Sequence, residues 1–159
     1  MISVNITVTE KNNPRVRLDK VKSILEKKSL YVGITSKTDS RGGRFRSNAS
    51  LAALQEAGGQ MGRAPNVPSR AFLVPAMDGK ALQNSMLAIL KEAVKDSTYG
   101  ISTNFWESAG KVAANGVKTY FTVGNTWERN APYTIQKKGF DMPLIESGQL
   151  RSAVTYEVK

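Results

Sequence analysis

Thr103-Asn104-Phe105-Trp106-Glu107-Ser108-Ala109-Gly110-Lys111-Val112-Ala113-Ala114-Asn115-Gly116-Val117-Lys118-Thr119-Tyr120-Phe121-Thr122-Val123 sets the balance of helix and sheet in this chain. Trp106, Ala109, Ala113, Val117 and Tyr120, continued by Gly124, recur with a period of about 3.6 residues, the repeat of one helix face. The second half, Val117 to Val123, has instead the β-branched and aromatic composition of a strand. Length and the sustained period favour a helix.

Upstream, Leu82, Met86, Ile89, Leu90, Ala93 and Val94 place a second helix over about residues 80–97, ended by Tyr99-Gly100. Before it, the Pro/Gly-punctuated stretch Gly62 to Arg70 is expected to run extended into Ala71-Phe72-Leu73-Val74-Pro75. Asn48 or Ser50 can cap a short helix carrying Leu51, Ala52, Leu54 and Gln55, and Gly58-Gly59 stops it. Nearer the start, Ile2, Val4, Ile6 and Val8 alternate with polar residues as an edge or near-edge strand. Pro14 then opens a helix over about residues 15–28 with the stripe Leu18, Val21, Ile24 and Leu25. Leu30 to Thr35 reads as a second strand, with Gly33 at a bulge or where another backbone comes close. Downstream, residues 131–145 lack a sustained period and are expected to be an extended loop, and Leu150 to Lys159 alternates as a last strand. The order is β-α-β-loop-α-(β)-α-α-loop-β. It specifies an α+β fold, a small, mostly antiparallel sheet packed against helices, in a single domain over residues 1–159.

Composition bounds the chemistry. The 159 residues include no Cys and no His, so a disulfide framework, a thiol redox centre, a Cys-type zinc site and a histidine general base are all excluded. With 23 Lys and Arg against 13 Asp and Glu the formal charge is +10. The excess is uneven, 13 basic against 5 acidic residues in 1–70 and 10 against 8 in the remainder. That field suits nucleic acid, an acidic protein partner or an anionic surface. No apolar stretch approaches the roughly 18 residues of a membrane span, and the first residues lack the basic and apolar regions of a signal peptide. A soluble protein made in a cytoplasm, with no membrane partner, is expected.

No phosphate-binding G-x-x-x-x-G-K-[ST] is present. Asp78, Glu107, Glu128, Asp141 and Glu146 are scattered singly, so no pair of carboxylates is forced into one site. No S-x-x-K stands in a catalytic setting either. The chain is not expected to be an enzyme, and no cofactor or metal site is assigned. The feature with functional content is the loop of residues 36–48, flexible and basic, in which Lys37, Arg41, Arg44 and Arg46 can meet phosphates or an acidic subunit and Phe45 can stack or insert. Trp127, flanked by Glu128 and Arg129, is either core or a candidate interface residue.

Two segments carry a resemblance. Asn48-Ala49-Ser50-Leu51-Ala52-Ala53-Leu54-Gln55-Glu56-Ala57-Gly58 with Val67-Pro68-Ser69-Arg70-Ala71-Phe72-Leu73-Val74-Pro75-Ala76 is similar to the central signature of bacteriophage virion-morphogenesis proteins, the neck and tail-completion proteins that join head to tail. Asn130 to Gly139 with Pro143 to Val158 resembles the C-terminal signature of the same family. The chain departs from it in having Ala57 where an aromatic is usual, Ser69 and Ala71 where prolines are usual, and Ser147 where a threonine is usual. The resemblance implies a structural virion protein in the phage neck or tail, made in the host cytoplasm, a tail terminator or tail-completion ring. It further implies a homo-oligomeric ring, hexamer or dodecamer, contacting neighbouring neck or connector proteins and tail tube or sheath proteins, with non-specific contact to packaged DNA. Physically, Val67-Pro68-Ser69-Arg70 enforces an extended entry, and Arg70 is expected to brace against a carboxylate such as Glu56. The alternative reading is a freestanding basic nucleic-acid-binding domain.

Overall fold

A computed structural model describes residues 14–42, 47–60, 66–95, 104–123 and 125–159. The strand expected at residues 2–8 lies outside them, as do Arg44, Phe45 and Arg46. In chain order the elements are α1 (Pro14–Glu26), β1 (Leu30–Ile34), α2 (Asn48–Ala57), α3 (Leu73–Asp78), α4 (Lys80–Lys95), α5 (Phe105–Tyr120), α6 (Pro132–Lys138), α7 (Gln149–Ala153) and β2 (Val154–Val158). β1 and β2 form a two-stranded antiparallel sheet in the register Leu30 to Val158 through Ile34 to Val154. The pairing extends one residue further, with Ser29 and Lys159 exchanging backbone bonds of 2.7 and 3.0 Å. The mixed α+β class is as expected.

α5 is the axis of the fold, and its helical period wins over the strand composition of its C-terminal half. Its buried face is Phe105, Ala109, Gly110, Ala113, Ala114 and Val117, a strip of small side chains that admits neighbours on two sides. A Cβ added at Gly110 would lie 2.1 Å from the Tyr156 ring of β2, and one at Gly116 would lie 2.9 Å from Leu82 of α4. The small residues therefore set how closely sheet and helix approach. Tyr156, lying across Gly110, donates its hydroxyl to Glu107 at 2.6 Å.

Two apolar clusters flank this axis. The larger joins Phe72, Ala76, Val117, Phe121, Leu150 and Val154, with the Phe72 and Phe121 rings 4.7 Å apart. The smaller, Ala93, Phe105 and Ala109, is completed by Met86, Ile89 and Leu90 of α4 and by Leu25 of α1. Burying such a phenylalanine stabilises by about 1.5–3 kcal/mol each. Among the described residues, no helix is long and apolar enough to cross a membrane.

The structure corrects five local expectations. Residues 73–78 are helical rather than extended, because the Glu56 carboxylate supplies acceptors to the free N–H groups of that helix's first turn. Residues 132–138 form α6 rather than a loop, with Pro132 in the first turn, where its missing N–H costs nothing, and Gly139 left-handed after the last. The terminal strand begins at Val154, after the short α7 buries Leu150 and Ala153 together. α2 is capped by Ser47 rather than Asn48 or Ser50: Ser47 Oγ accepts from Ser50 N at 3.0 Å. Gly33 makes neither a bulge nor a close approach. It pairs regularly with Thr155, has open space where a side chain would stand, and is glycine for its φ of +153°.

Candidate functional site

The root of the basic loop is a closed hydrogen-bond web. Asp39 accepts from Ala49 N at 2.6 Å and from Ser47 Oγ at 2.8 Å, bonds that hold its carboxyl below the usual range, the Ala49 contact most strongly. Asn48, which is buried, donates from Nδ2 to the carbonyls of Thr38 and Ser40 at 2.9 and 3.0 Å. Its Oδ1 accepts from Arg41 Nη1 at 3.2 Å. Ser40 and Ser47 face each other as an antiparallel bridge. The loop thus leaves the fold through a clamped neck.

Its cations diverge. Lys37 borders a depression shared with Glu107 and Tyr156, whereas Arg41 lines a separate cleft with Arg70 and Lys138. The sequence grouped Lys37 and Arg41 as one site, and the structure does not bring them together.

The Arg41 cleft has a volume of about 280 Å³ and is walled by α2, the end of α6 and residues 144–150. Arg70 is placed there by its own backbone, whose N–H donates to Gln55 O at 2.7 Å, and by Ser69 Oγ donating to Glu56 O at 2.8 Å. Between them and α2 stands Gly58, with φ +71°, where an added Cβ would meet Ser69 N at 2.8 Å. The Arg70 guanidinium does not reach Glu56 as the sequence suggested. It donates to the carbonyls of Glu128 at 3.3 Å and Arg129 at 3.2 Å, while Glu56 is fully engaged on Phe72, Leu73 and Val74 N at 2.8 to 3.1 Å. Lys138 Nζ donates to Met142 O at 2.6 Å. Burial holds the Lys138 ammonium below its usual range, with Glu146 opposing that shift and Arg70 adding to it. Gln55 also borders the cleft, and its Oε1 is buried with no hydrogen-bond partner.

Trp127 has a structural post. Its Nε1 donates to Ala71 O at 2.7 Å, and its ring stands edge-on to Tyr120 and Phe121 at 5.8 and 5.9 Å. Beyond it, Asp141 accepts from Arg129 Nε at 2.6 Å and from Asn130 N and Nδ2 at 3.0 and 3.1 Å. These bonds, that with Arg129 foremost, hold the Asp141 carboxyl low. Among the described residues no three Asp or Glu gather to hold a metal ion. Glu56, Asp39 and Asp141 each accept from backbone N–H groups at a helix start or a turn, whereas Glu107 accepts from the Tyr156 hydroxyl.

Sequence reading did not group Arg70, Lys138 and Gln55 as a site. The available signal was that all three fall within the two segments that carry the resemblance, which the fold lays against one another across this cleft. Compared with known proteins, the chain matches no family model, no curated protein and no solved structure.

Proposed function

We propose that this chain is a structural protein of the bacteriophage virion, a subunit of a neck or tail-top ring that joins head to tail around the DNA channel. The observation that carries this reading is that the two signature segments wall one cleft, Leu51, Gln55 and Arg70 from the first and Lys138 with residues 144–150 from the second, while Trp127 and Glu128, just before the second, brace the first. Arg70 reaches the carbonyl of Glu128, 58 residues away in sequence, and Trp127 returns a bond to Ala71. Contacts of this kind fix shape, which is what a ring wall needs.

A ring requires two different faces on each subunit that meet by rotation and close. The +10 charge suits a wall facing the polyanion of packaged DNA and acidic neighbouring rings. On this reading the basic residues between Ser40 and Ser47 contact packaged DNA or a neighbouring ring, and no catalytic step is involved.

Native mass spectrometry with negative-stain microscopy tests the reading, on the protein alone and mixed with a phage tail-tube protein. Closed rings of six or twelve subunits, alone or on the tube, are the expected result. A chain that stays monomeric with the tube and binds duplex DNA at physiological salt, with a log–log salt slope of several phosphates, overturns it in favour of a freestanding nucleic-acid-binding domain.

A further inference from the structure

We infer that Asn115-Gly116, inside α5, is a self-modification site gated by folding. The folded helix keeps Asn115 intact, whereas the opened chain deamidates there to an isoaspartyl link that cannot rebuild α5.

Of the Asn residues in the sequence, only Asn115 is followed by glycine. With no side chain on residue 116 to obstruct it, the Gly116 nitrogen is free to close on the Asn115 side-chain amide once the backbone is flexible. Water is the sole co-reactant. Gly116 N bonds to Asn115 Cγ, the Cγ–Nδ2 bond breaks and ammonia departs. The Gly116 amide proton passes to solvent base, and a solvent proton leaves with the ammonia. Water then opens the cyclic imide. Attack at Cγ gives aspartate, and attack at the main-chain carbonyl gives isoaspartate, whose backbone runs through the former side chain and is one carbon longer.

α5 withholds the geometry that ring closure needs. Asn115 and Gly116 lie within Phe105–Tyr120. In a helix interior each N–H is committed to the carbonyl four residues back, and a ψ of about −42° keeps the next nitrogen from turning onto Cγ. Asn115 itself is exposed, so water and base reach it and the protection comes from the backbone rather than from burial. The glycine is required by packing, since a Cβ at residue 116 would lie 2.9 Å from Leu82 Cδ1. The close approach of α4 to α5 thus places a labile pair in the axis of the fold.

The pair also falls between the two apolar clusters. Phe105 and Ala109 of the smaller cluster precede it, and Val117 and Phe121 of the larger one follow it. An extra backbone carbon at residue 115 rotates the second pair about the helix axis relative to the first, so one face no longer serves both clusters. Val117 is fully buried and close-packed surroundings leave no room for that offset.

The full chain is incubated in buffer and in denaturing guanidinium chloride at one mildly alkaline pH and one temperature. Mass spectrometry of the tryptic peptide of residues 112–118 follows the gain of about 1 Da that replacing NH2 by OH brings. Conversion is expected at least about a hundredfold faster in denaturant, because the folded chain reacts only through opening of a core helix. After dilution from denaturant, the compact fraction from gel filtration should be depleted about tenfold in isoaspartyl chains, resolved from aspartyl ones by chromatography of the peptide. Asn115→Gln, which would have to close a larger ring, should fold, lose the modification and keep its refolding yield after the same time in denaturant. Conversion in buffer within about threefold of that in denaturant overturns the gating. Isoaspartyl chains present in the compact fraction at their starting proportion overturn the exclusion from the fold, and an equal loss of refolding yield by Asn115→Gln overturns the assignment to Asn115.

Discussion

Glu56 closes the first turn of α3 from another helix. One carboxylate accepts from the backbone N–H of Phe72, Leu73 and Val74, three donors that a short helix cannot satisfy for itself. No capping side chain stands at Phe72 to do the same. Removing the carboxylate therefore strands donors beside the main core, where Phe72 meets Phe121. Glu56→Ala is expected to lower stability by about 2–3 kcal/mol, and Glu56→Gln by less, as read from urea midpoints. A loss under about 0.5 kcal/mol for Glu56→Ala would mean that water replaces the cap.

Asp141 and Asp39 make the molecule acid-sensitive. Both carboxyls are held below the ordinary value of 3.8 by the donors they accept from. A carboxyl whose folded pKa is depressed contributes stability above its unfolded pKa and loses it as pH falls through the folded value. The urea midpoint should thus be level from pH 7 to about 5 and fall below about pH 4. Asp141→Asn should be less stable than the parent at pH 7, and the gap should narrow as the pH drops through that window. A gap constant down to pH 2 would show that the Asp141 charge does not matter to the Asn130 turn. Tyr156 acts at the other extreme. Its phenol, held above 10.0 chiefly by its bond to Glu107, contributes stability that is lost only in strong alkali.

At the scale of elements, what the sequence made legible was what repeats. α4 and α5 run 16 residues each, long enough for their apolar stripes to be read, and β1 is a short continuous run of strand-forming residues, Leu30 to Ile34. α6 and α3, at 7 and 6 residues, complete barely two turns and show no period. α6 was still signalled by Pro132 at its start and Gly139 at its end. α3 was not signalled locally at all, since its cap comes from Glu56. The candidate cleft was hidden for the same reason: Gln55, Arg70 and Lys138 stand apart in the sequence and come to line one cleft only through the tertiary fold. The clamped neck of the basic loop leads to a prediction about deletion. Removing residues 38–46 takes away Asp39 and the carbonyls that satisfy buried Asn48, so it should unfold α2 and lower the melting temperature by 10 °C or more, about 2 kcal/mol or above in a domain of this size. Removing only residues 43–46 leaves Arg41-Gly42 as a two-residue turn between the bridged Ser40 and Ser47. That variant should melt within about 3 °C of the parent and, on the proposed function, fail in head–tail joining. Equal melting of both deletions would contradict the clamp.

For the whole molecule, the question is what ten excess positive charges are for. A protein that reads nucleic acid gathers its cations into one stripe that follows phosphates. Here Lys37 and Arg41 open onto different depressions, and Arg70 and Lys138 are withdrawn into a cleft too small for a duplex. Arg129 is paired with Asp141. On the proposed function, cations spread over separate depressions attract DNA through the summed field without fixing it in a register. Duplex binding by the isolated chain should accordingly be independent of sequence and lost between about 50 and 200 mM salt, with a shallow log–log slope of two or three phosphates. Should the chain assemble as proposed, rings are expected to bind with a slope several times steeper, because each subunit would add its share of the field to one lumen. Fluorescence anisotropy with two unrelated duplexes over a salt series measures both slopes. A steep slope for the monomer, or a preference of tenfold or more between the duplexes, would mean that the cations form a binding face of their own and that the positive charge is not there to line a channel.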